Sequence, residues 1–113
     1  MSEFPLTHLR QNREYQIYFT TDGGAPGPFT LFVGWVPRDS AQPPKKTMVQ
    51  IKPGESLPEM RDTAPAFHEA SQLWIEVVAP HPSAKGMLKL VQDERHKTVE
   101  VVGDGTFFFK IRK

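Results

Sequence analysis

Residues 87–112 read MLKLVQDERHKTVEVVGDGTFFFKIR, and three runs in which apolar and polar residues alternate follow one another in this stretch. Alternation with a period of two is typical of a β-strand with one buried face, whereas an amphipathic helix repeats about every 3.6 residues. We therefore predict strands over residues 87–92, 97–102 and 106–112. Asp104-Gly105 is a favoured hairpin turn because both residues accept a positive φ. The stretch predicts a terminal antiparallel meander.

Four earlier runs alternate in the same way and predict strands over residues 13–20, 29–36, 47–52 and 72–79. The predicted inward positions are Tyr15, Ile17, Phe19, Phe29, Leu31, Val33, Trp35, Leu73, Ile75, Val77, Leu88, Leu90, Val99, Val101, Phe107, Phe109 and Ile111. Eleven prolines and eight glycines among 113 residues disfavour a helical bundle, because proline breaks helix interiors. About seven short strands predict an all-β protein, an antiparallel β-sandwich that is Ig-like or jelly-roll-like, with one domain over residues 1–113.

Residues 53–71 are predicted to form the longest connection, since Pro58 and Pro65 interrupt them and their apolar residues are scattered. Ser56-Leu57-Pro58-Glu59 fits a capping box, in which the serine and glutamate side chains bond to free amides of a first helical turn. One helical turn is therefore predicted over residues 57–61. A second short turn is predicted over residues 65–70, because proline is tolerated at the start of a helix.

Composition excludes several classes of function. The absence of cysteine excludes disulfides, thiolate metal sites and cysteine nucleophiles. Fourteen Lys and Arg against thirteen Asp and Glu give a net charge of +1, so no strong overall field favours nucleic acid or an anionic membrane. The longest apolar stretches are far shorter than the roughly 20 residues that span a bilayer, and residues 1–10 lack a signal-peptide core. We expect a cytoplasmic protein with no membrane partner.

Large aromatic residues occupy positions that alternation turns away from the core. If the inward set is correct, Tyr18, Phe32, Trp74 and Phe108 stand on sheet exteriors, and four such rings are enough to form a patch. Three explanations are open. The 53–71 connection covers the rings with Leu57, Met60 and Phe67; a second copy or another protein packs on them; or the rings stack on a sugar.

We interpret the chain as a non-catalytic binding or interaction module that uses these four rings, either as a homo-oligomer or as a component of an assembly. A carbohydrate-binding, lectin-like module is the first alternative, in which the rings stack on sugar faces and Asn12, Asp22 or Gln72 binds hydroxyls. No cofactor is expected, because the chain has no P-loop and no dinucleotide-binding glycine motif.

A small hydrolase is the alternative from a different class. Glu59 and Asp62 lie close together in the long connection with His68 and Glu69, and paired carboxylates serve in glycoside hydrolysis. There is no nucleophile elbow, and the four histidines lie in separate segments without metal-ligand spacing, so we predict no metal site. The carboxylates are more simply read as a solvated loop.

Basic residues are concentrated near the end of the chain. Residues 84–113 hold seven Lys and Arg against four Asp and Glu, and Phe108 alternates with Lys110 and Arg112. Cations interleaved with aromatic rings are typical of surfaces that bind single-stranded nucleic acid. Positive charge also protects edge strands from aggregation, and this explanation is favoured over nucleic-acid binding.

Overall fold

A computed structural model describes residues 4–21, 27–39, 45–52 and 60–112. These residues form ten strands and no helix: β1 (Phe4–Pro5), β2 (Leu9–Arg10), β3 (Glu14–Thr21), β4 (Phe29–Pro37), β5 (Lys45–Ile51), β6 (Met60–Thr63), β7 (Ala70–Val78), β8 (Lys85–Gln92), β9 (Arg95–Val102) and β10 (Gly105–Arg112). The all-β prediction is confirmed. All seven predicted strands are present, with ends shifted by a few residues.

The strands form two five-stranded sheets packed face to face. The first sheet has the order β1-β9-β8-β3-β6, and the second has the order β2-β10-β7-β4-β5. Neighbouring strands are antiparallel except for the pairs β1–β9 and β2–β10, which are parallel. Between the sheets lies one apolar core, whose largest fully buried side chains are Phe19, Phe29, Leu9, Ile17, Leu31, Leu73, Ile75, Leu88, Leu90 and Val77. The predicted sandwich is therefore observed.

The connection between β9 and β10 differs from the predicted hairpin. β9 pairs with β8 in the first sheet, whereas β10 pairs with β7 in the second sheet. Gly103 makes the sharp turn with φ of 71°, and its N–H donates to the carbonyl of Ala84 over 2.9 Å. Asp104 Oδ1 accepts from the Ala79 N–H over 2.7 Å. The prediction of a continuous meander is wrong at this point, because alternation reports which face is buried and not which strand is the neighbour.

The described part of the 53–71 connection is extended rather than helical at its first end. Met60 and Arg61 belong to β6, which pairs with β3, so the predicted helical turn over residues 57–61 is wrong there. Residues 53–59 lie outside the described residues. Near the predicted second turn, the N–H groups of Glu69 and Ala70 both donate to the carbonyl of Ala66, over 2.9 and 3.3 Å. A single hydrogen-bonded turn therefore leads into β7.

The N-terminal residues bridge the two sheets, which the alternation pattern did not predict. β1 adds to the first sheet beside β9, and β2 adds to the second sheet beside β10. Leu6 and Leu9, which are 3% and 0% exposed, fill the core at this end. Strands of two residues are too short to produce a periodic signal. Residues 4–10 thus cover one edge of the sandwich, beside β9 and β10.

The hairpin between β8 and β9 turns through two residues in the left-handed region. Asp93 has φ of 51° and Glu94 has φ of 67°, as a type I′ turn requires. This conformation costs a residue with a side chain about 1 kcal/mol, whereas glycine adopts it freely. We expect Glu94→Gly to raise the free energy of unfolding by about 0.5 kcal/mol, after allowing for the extra freedom of the unfolded glycine. We choose Glu94 and leave Asp93 unchanged, because Asp93 forms an ion pair with Arg13.

Thermal unfolding measures this effect, with Glu100→Gly on the neighbouring strand as the matched control. Glu100 is exposed and lies within β9, where glycine weakens a strand. The control should lower the melting temperature while Glu94→Gly raises it. An equal decrease in the melting temperature of the two variants would contradict backbone strain at Glu94.

Candidate binding surface

The strand register gathers three of the four predicted aromatic residues on the outside of the second sheet. Phe32 lies on β4, Trp74 on β7 and Phe108 on β10. Phe108 is directly opposite Trp74, and Trp74 is opposite Gly34. We call the surface formed by Phe32, Lys46, Met48, Trp74, Glu76, Val78 and Phe108 the aromatic face. It crosses four neighbouring strands in the order β10-β7-β4-β5.

Tyr18, the fourth predicted residue, is on the opposite side of the molecule. It lies on the outer face of β3 in the first sheet, where its ring centroid is 5.9 Å from Lys89 Nζ. Its hydroxyl donates a long hydrogen bond of 3.4 Å to Gln16 Oε1. The aromatic face therefore contains three of the predicted rings. Alternation placed Tyr18 outward but carried no information about which sheet it joins.

The indole of Trp74 is held between two neighbours. Its ring stacks with Phe108 on the β10 side, with centroids 6.4 Å apart and planes inclined by 23°. Lys46 Nζ lies 3.8 Å from the indole centroid on the β5 side, and the lysine reaches it across Gly34, which has no side chain. Trp74 Nε1 is buried and has no hydrogen-bond partner among the described residues. Lys46 thus lies over the indole of Trp74, and Phe108 packs beside it.

The aromatic face exposes an apolar band that crosses four strands. Met48 is 60% exposed, Phe108 52% and Val78 37%, while Phe32 and Trp74 are half-buried. Phe32 lies directly opposite Met48, which joins the β4 and β5 parts of the band. Scattered exposed apolar residues are normal in soluble proteins, but a contiguous patch is typical of an interaction site.

Two opposite charges lie within this band. Glu76 is opposite Phe32 on one neighbouring strand and Thr106 on the other. Lys46 covers the indole of Trp74. Across the part of the chain that the structure describes, Glu76 has no ion-pair partner. The carboxylate is therefore available to a cation from outside the protein.

A small cleft of about 230 Å³ opens at the edge where β6 and β5 approach each other. The Tyr15 ring lies edge-on to Trp35 there, with centroids 5.5 Å apart. Burial, and then the charge of Asp62, raise the pKa of Tyr15 to about 12, against an opposing hydrogen bond with Trp35. Tyr15 keeps its proton at neutral pH, so its hydroxyl is unsuited to act as a general base there.

The candidate hydrolase residues do not form a catalytic arrangement within the described residues. Glu59 lies outside them. Asp62 is exposed on β6, and one of its oxygens accepts from the backbone N–H of Thr63. His68 and Glu69 lie side by side in the turn before β7, with side chains 83% and 62% exposed. Three metal-binding side chains do not converge anywhere in residues 4–21, 27–39, 45–52 or 60–112.

Comparison of the chain with protein-family models, with curated proteins and with solved structures finds no match. None of the residues described in the structure belongs to a helix long and apolar enough to cross a membrane. Function is therefore inferred from the geometry and charge of the two sheets themselves.

Proposed function

We propose that the protein is a non-catalytic interaction module that self-associates through the aromatic face. The observation that supports this proposal is the strand register, which gathers Phe32, Trp74 and Phe108 beside the exposed side chains of Met48 and Val78. Aromatic residues and methionine are enriched in protein interfaces, because they bury a large apolar area. Packing against a second copy removes this band from water.

The outer surface of the second sheet can supply much of such an interface. The four long strands β10, β7, β4 and β5, spaced about 4.8 Å apart and seven to nine residues long, form a face of about 19 Å by 27 Å. This flat area is about 510 Å², and side-chain relief increases the accessible area. Stable interfaces bury about 800 Å² on each partner. A stable dimer would therefore bury residues around the aromatic face as well as the aromatic face itself.

Charge complementarity favours a second copy as the partner. A two-fold interface places the same patch of both molecules face to face, so each charged group can meet a group from the other copy. Glu76 and Lys46 lie in adjacent rows of the aromatic face. In a two-fold dimer, the free Glu76 of each copy can pair with Lys46 of the other. This arrangement forms two equivalent ion pairs.

The environment of Trp74 favours a protein partner over a sugar. Sugars stack on open ring faces, whereas the indole of Trp74 is half-buried, is covered by Lys46 and packs beside Phe108. Among the rings of the aromatic face, Phe108 is the most exposed, at 52%. One ring is a small platform for a carbohydrate, but it is well suited to insert into an apolar contact.

Light scattering after gel filtration, repeated over a wide range of protein concentrations, tests self-association. We expect a dimer that dissociates on dilution. The double variant Met48→Ser/Phe108→Ser should weaken dimerisation at least about 30-fold, since central apolar contacts contribute about 2 kcal/mol or more. The matched control is Met87→Ser/Val102→Ser, which removes two exposed apolar side chains from the first sheet.

The control variant should keep the dimer. A wild-type protein that stays monomeric at every concentration would overturn the proposal. So would a dimer that persists in Met48→Ser/Phe108→Ser, because the interface would then lie elsewhere. Circular dichroism of both variants verifies that the sandwich remains folded.

A further inference from the structure

Two adjoining hollows lie at one end of the outer face of the second sheet. The first, of about 350 Å³, is lined by Thr7, His8, Phe108, Lys110 and Arg112. The second, of about 410 Å³, is lined by Arg38, Phe67, Ser71, Gln72 and Ile111 together with the same Lys110 and Arg112. We call the two together the basic hollows. Lys110 and Arg112 form their shared boundary.

The basic hollows concentrate positive charge without a carboxylate. Lys110, Arg112 and Arg38 line them, and none of the lining residues is an Asp or Glu. Within the described ranges, neither Lys110 nor Arg112 has an ion-pair partner. Like charges held close together repel one another, and a bound anion removes this repulsion. The hollows are therefore suited to an anionic ligand.

The positive charges near the first hollow also act on the imidazole of His8. Burial lowers the pKa of His8, and the charges of Arg112, Arg95 and Arg10 lower it further. Three guanidinium groups from three different strands therefore act on one point. His8 lies in hydrogen-bond contact with the hydroxyl of Thr7, at 3.0 Å, so polar groups accompany the cations.

Aromatic rings flank the cations on both sides. Phe108 lines the first hollow and is half exposed. Phe67 lines the second, where the guanidinium carbon of Arg38 lies 3.9 Å from its ring centroid and Arg38 Nε donates to its carbonyl. Flat rings beside cations are what proteins use to stack bases while neutralising phosphates. A simple inorganic anion would need the cations alone.

We propose that the basic hollows bind nucleoside phosphates, either free or within single-stranded nucleic acid. Lys110 and Arg112 contact the phosphates, and Phe67 stacks against a base. The cations and Phe67 lie outside the aromatic face, and Phe108 is the residue that borders both surfaces. The overall charge of +1 does not reveal this site, because carboxylates elsewhere in the chain balance its cations.

Fluorescence anisotropy of a short labelled oligothymidylate, titrated with the full chain at low salt, tests this proposal. We expect the logarithm of the association constant to fall linearly with the logarithm of the salt concentration. The slope should be about −1.4 to −2, for two or three phosphate contacts. Lys110→Gln/Arg112→Gln should weaken binding at least about tenfold and reduce the magnitude of the slope by about 1.4. The matched control, Lys85→Gln/Lys97→Gln, removes two exposed cations from the first sheet and should change affinity less than about twofold.

Competition by adenosine triphosphate and by pyrophosphate identifies the ligand. Displacement by the nucleotide at similar concentration assigns the site to free nucleoside phosphates, and much weaker displacement assigns it to the nucleic-acid strand; both support the proposal. Pyrophosphate that competes as well as the nucleotide would overturn base recognition.

No binding of the oligothymidylate at low salt would overturn the site itself. So would a loss of affinity in Lys85→Gln/Lys97→Gln equal to that in Lys110→Gln/Arg112→Gln. Light scattering of Lys110→Gln/Arg112→Gln should still show the dimer, which separates this result from the test of self-association.

Discussion

Replacing Gly86 with alanine is expected to destabilise the protein by about 3 kcal/mol, because the added methyl group would occupy the position of the Phe19 ring. A Cβ atom at residue 86 would overlap Phe19 Cζ and lie 2.9 Å from Cε1. Phe19 is fully buried and lies against Phe29, with ring centroids 5.2 Å apart, so its ring has little room to move. Gly86 faces the core opposite Val101 on β9. Because Gly86 has no side chain, the ring of Phe19 can pack directly against the backbone of β8.

Urea unfolding of Gly86→Ala measures this cost, and a second substitution separates overlap from other effects of alanine. Phe19→Leu shortens the side chain that would clash, so the double variant should lose much less stability than the sum of the two single changes. We expect a coupling of about 1 kcal/mol or more. Additive losses, or a Gly86→Ala variant as stable as the wild type, would contradict the packing of Phe19 over β8.

Gln92→Leu is expected to destabilise the protein by about 2–3 kcal/mol and to release the N-terminal segment. Gln92 is the only buried polar residue among the described residues, at 3% exposure. Its Oε1 accepts from the Arg10 N–H over 2.7 Å, and its Nε2 donates to the carbonyls of Arg10 and Arg13 over 3.0 and 3.3 Å. Leucine has a similar volume but satisfies none of these groups.

Hydrogen exchange distinguishes release of the segment from general destabilisation. The Leu6 N–H, which donates to His96 O, and the Arg10 N–H should lose protection in Gln92→Leu more than the central strand β7 does. Gln16→Leu on the outer face of β3 is the matched control, because the Gln16 side chain accepts, within the described residues, only the long hydrogen bond from Tyr18. Unchanged protection at Leu6 and Arg10 would show that Gln92 does not hold the segment.

The same segment connects stability to the proposed phosphate site. It carries Thr7 and His8 into the first hollow and pairs with β10 beside Arg112. Gln92 anchors this segment from the end of β8, 82 residues from Arg10 along the chain. Displacement of the segment should therefore alter the first hollow, which contains Thr7 and His8, more than the part of the aromatic face on β7, β4 and β5.

Much of the fold could be predicted from the sequence, because strand alternation is a local property. Leu31, Leu73 and Leu90 are at predicted inward positions and are fully buried. Phe108 is outward as expected and is 52% exposed. Each of these assignments depends only on a residue and its immediate neighbours. The alternating pattern therefore determined the seven long strands and the face on which each side chain lies.

The arrangement of those strands was decided by the tertiary structure. Alternation could not show that β9 and β10 lie in different sheets. It also could not show that Tyr18 lies on the outer face of one sheet while Trp74 and Phe108 lie on the outer face of the other. The two-residue strands β1 and β2 have no period to detect, and Gln92 resembles any other polar residue at a strand end. The basic hollows likewise combine His8, Arg38 and Arg112, which are distant in sequence. Burial is encoded residue by residue, whereas the choice of neighbouring strand depends on packing across the whole core.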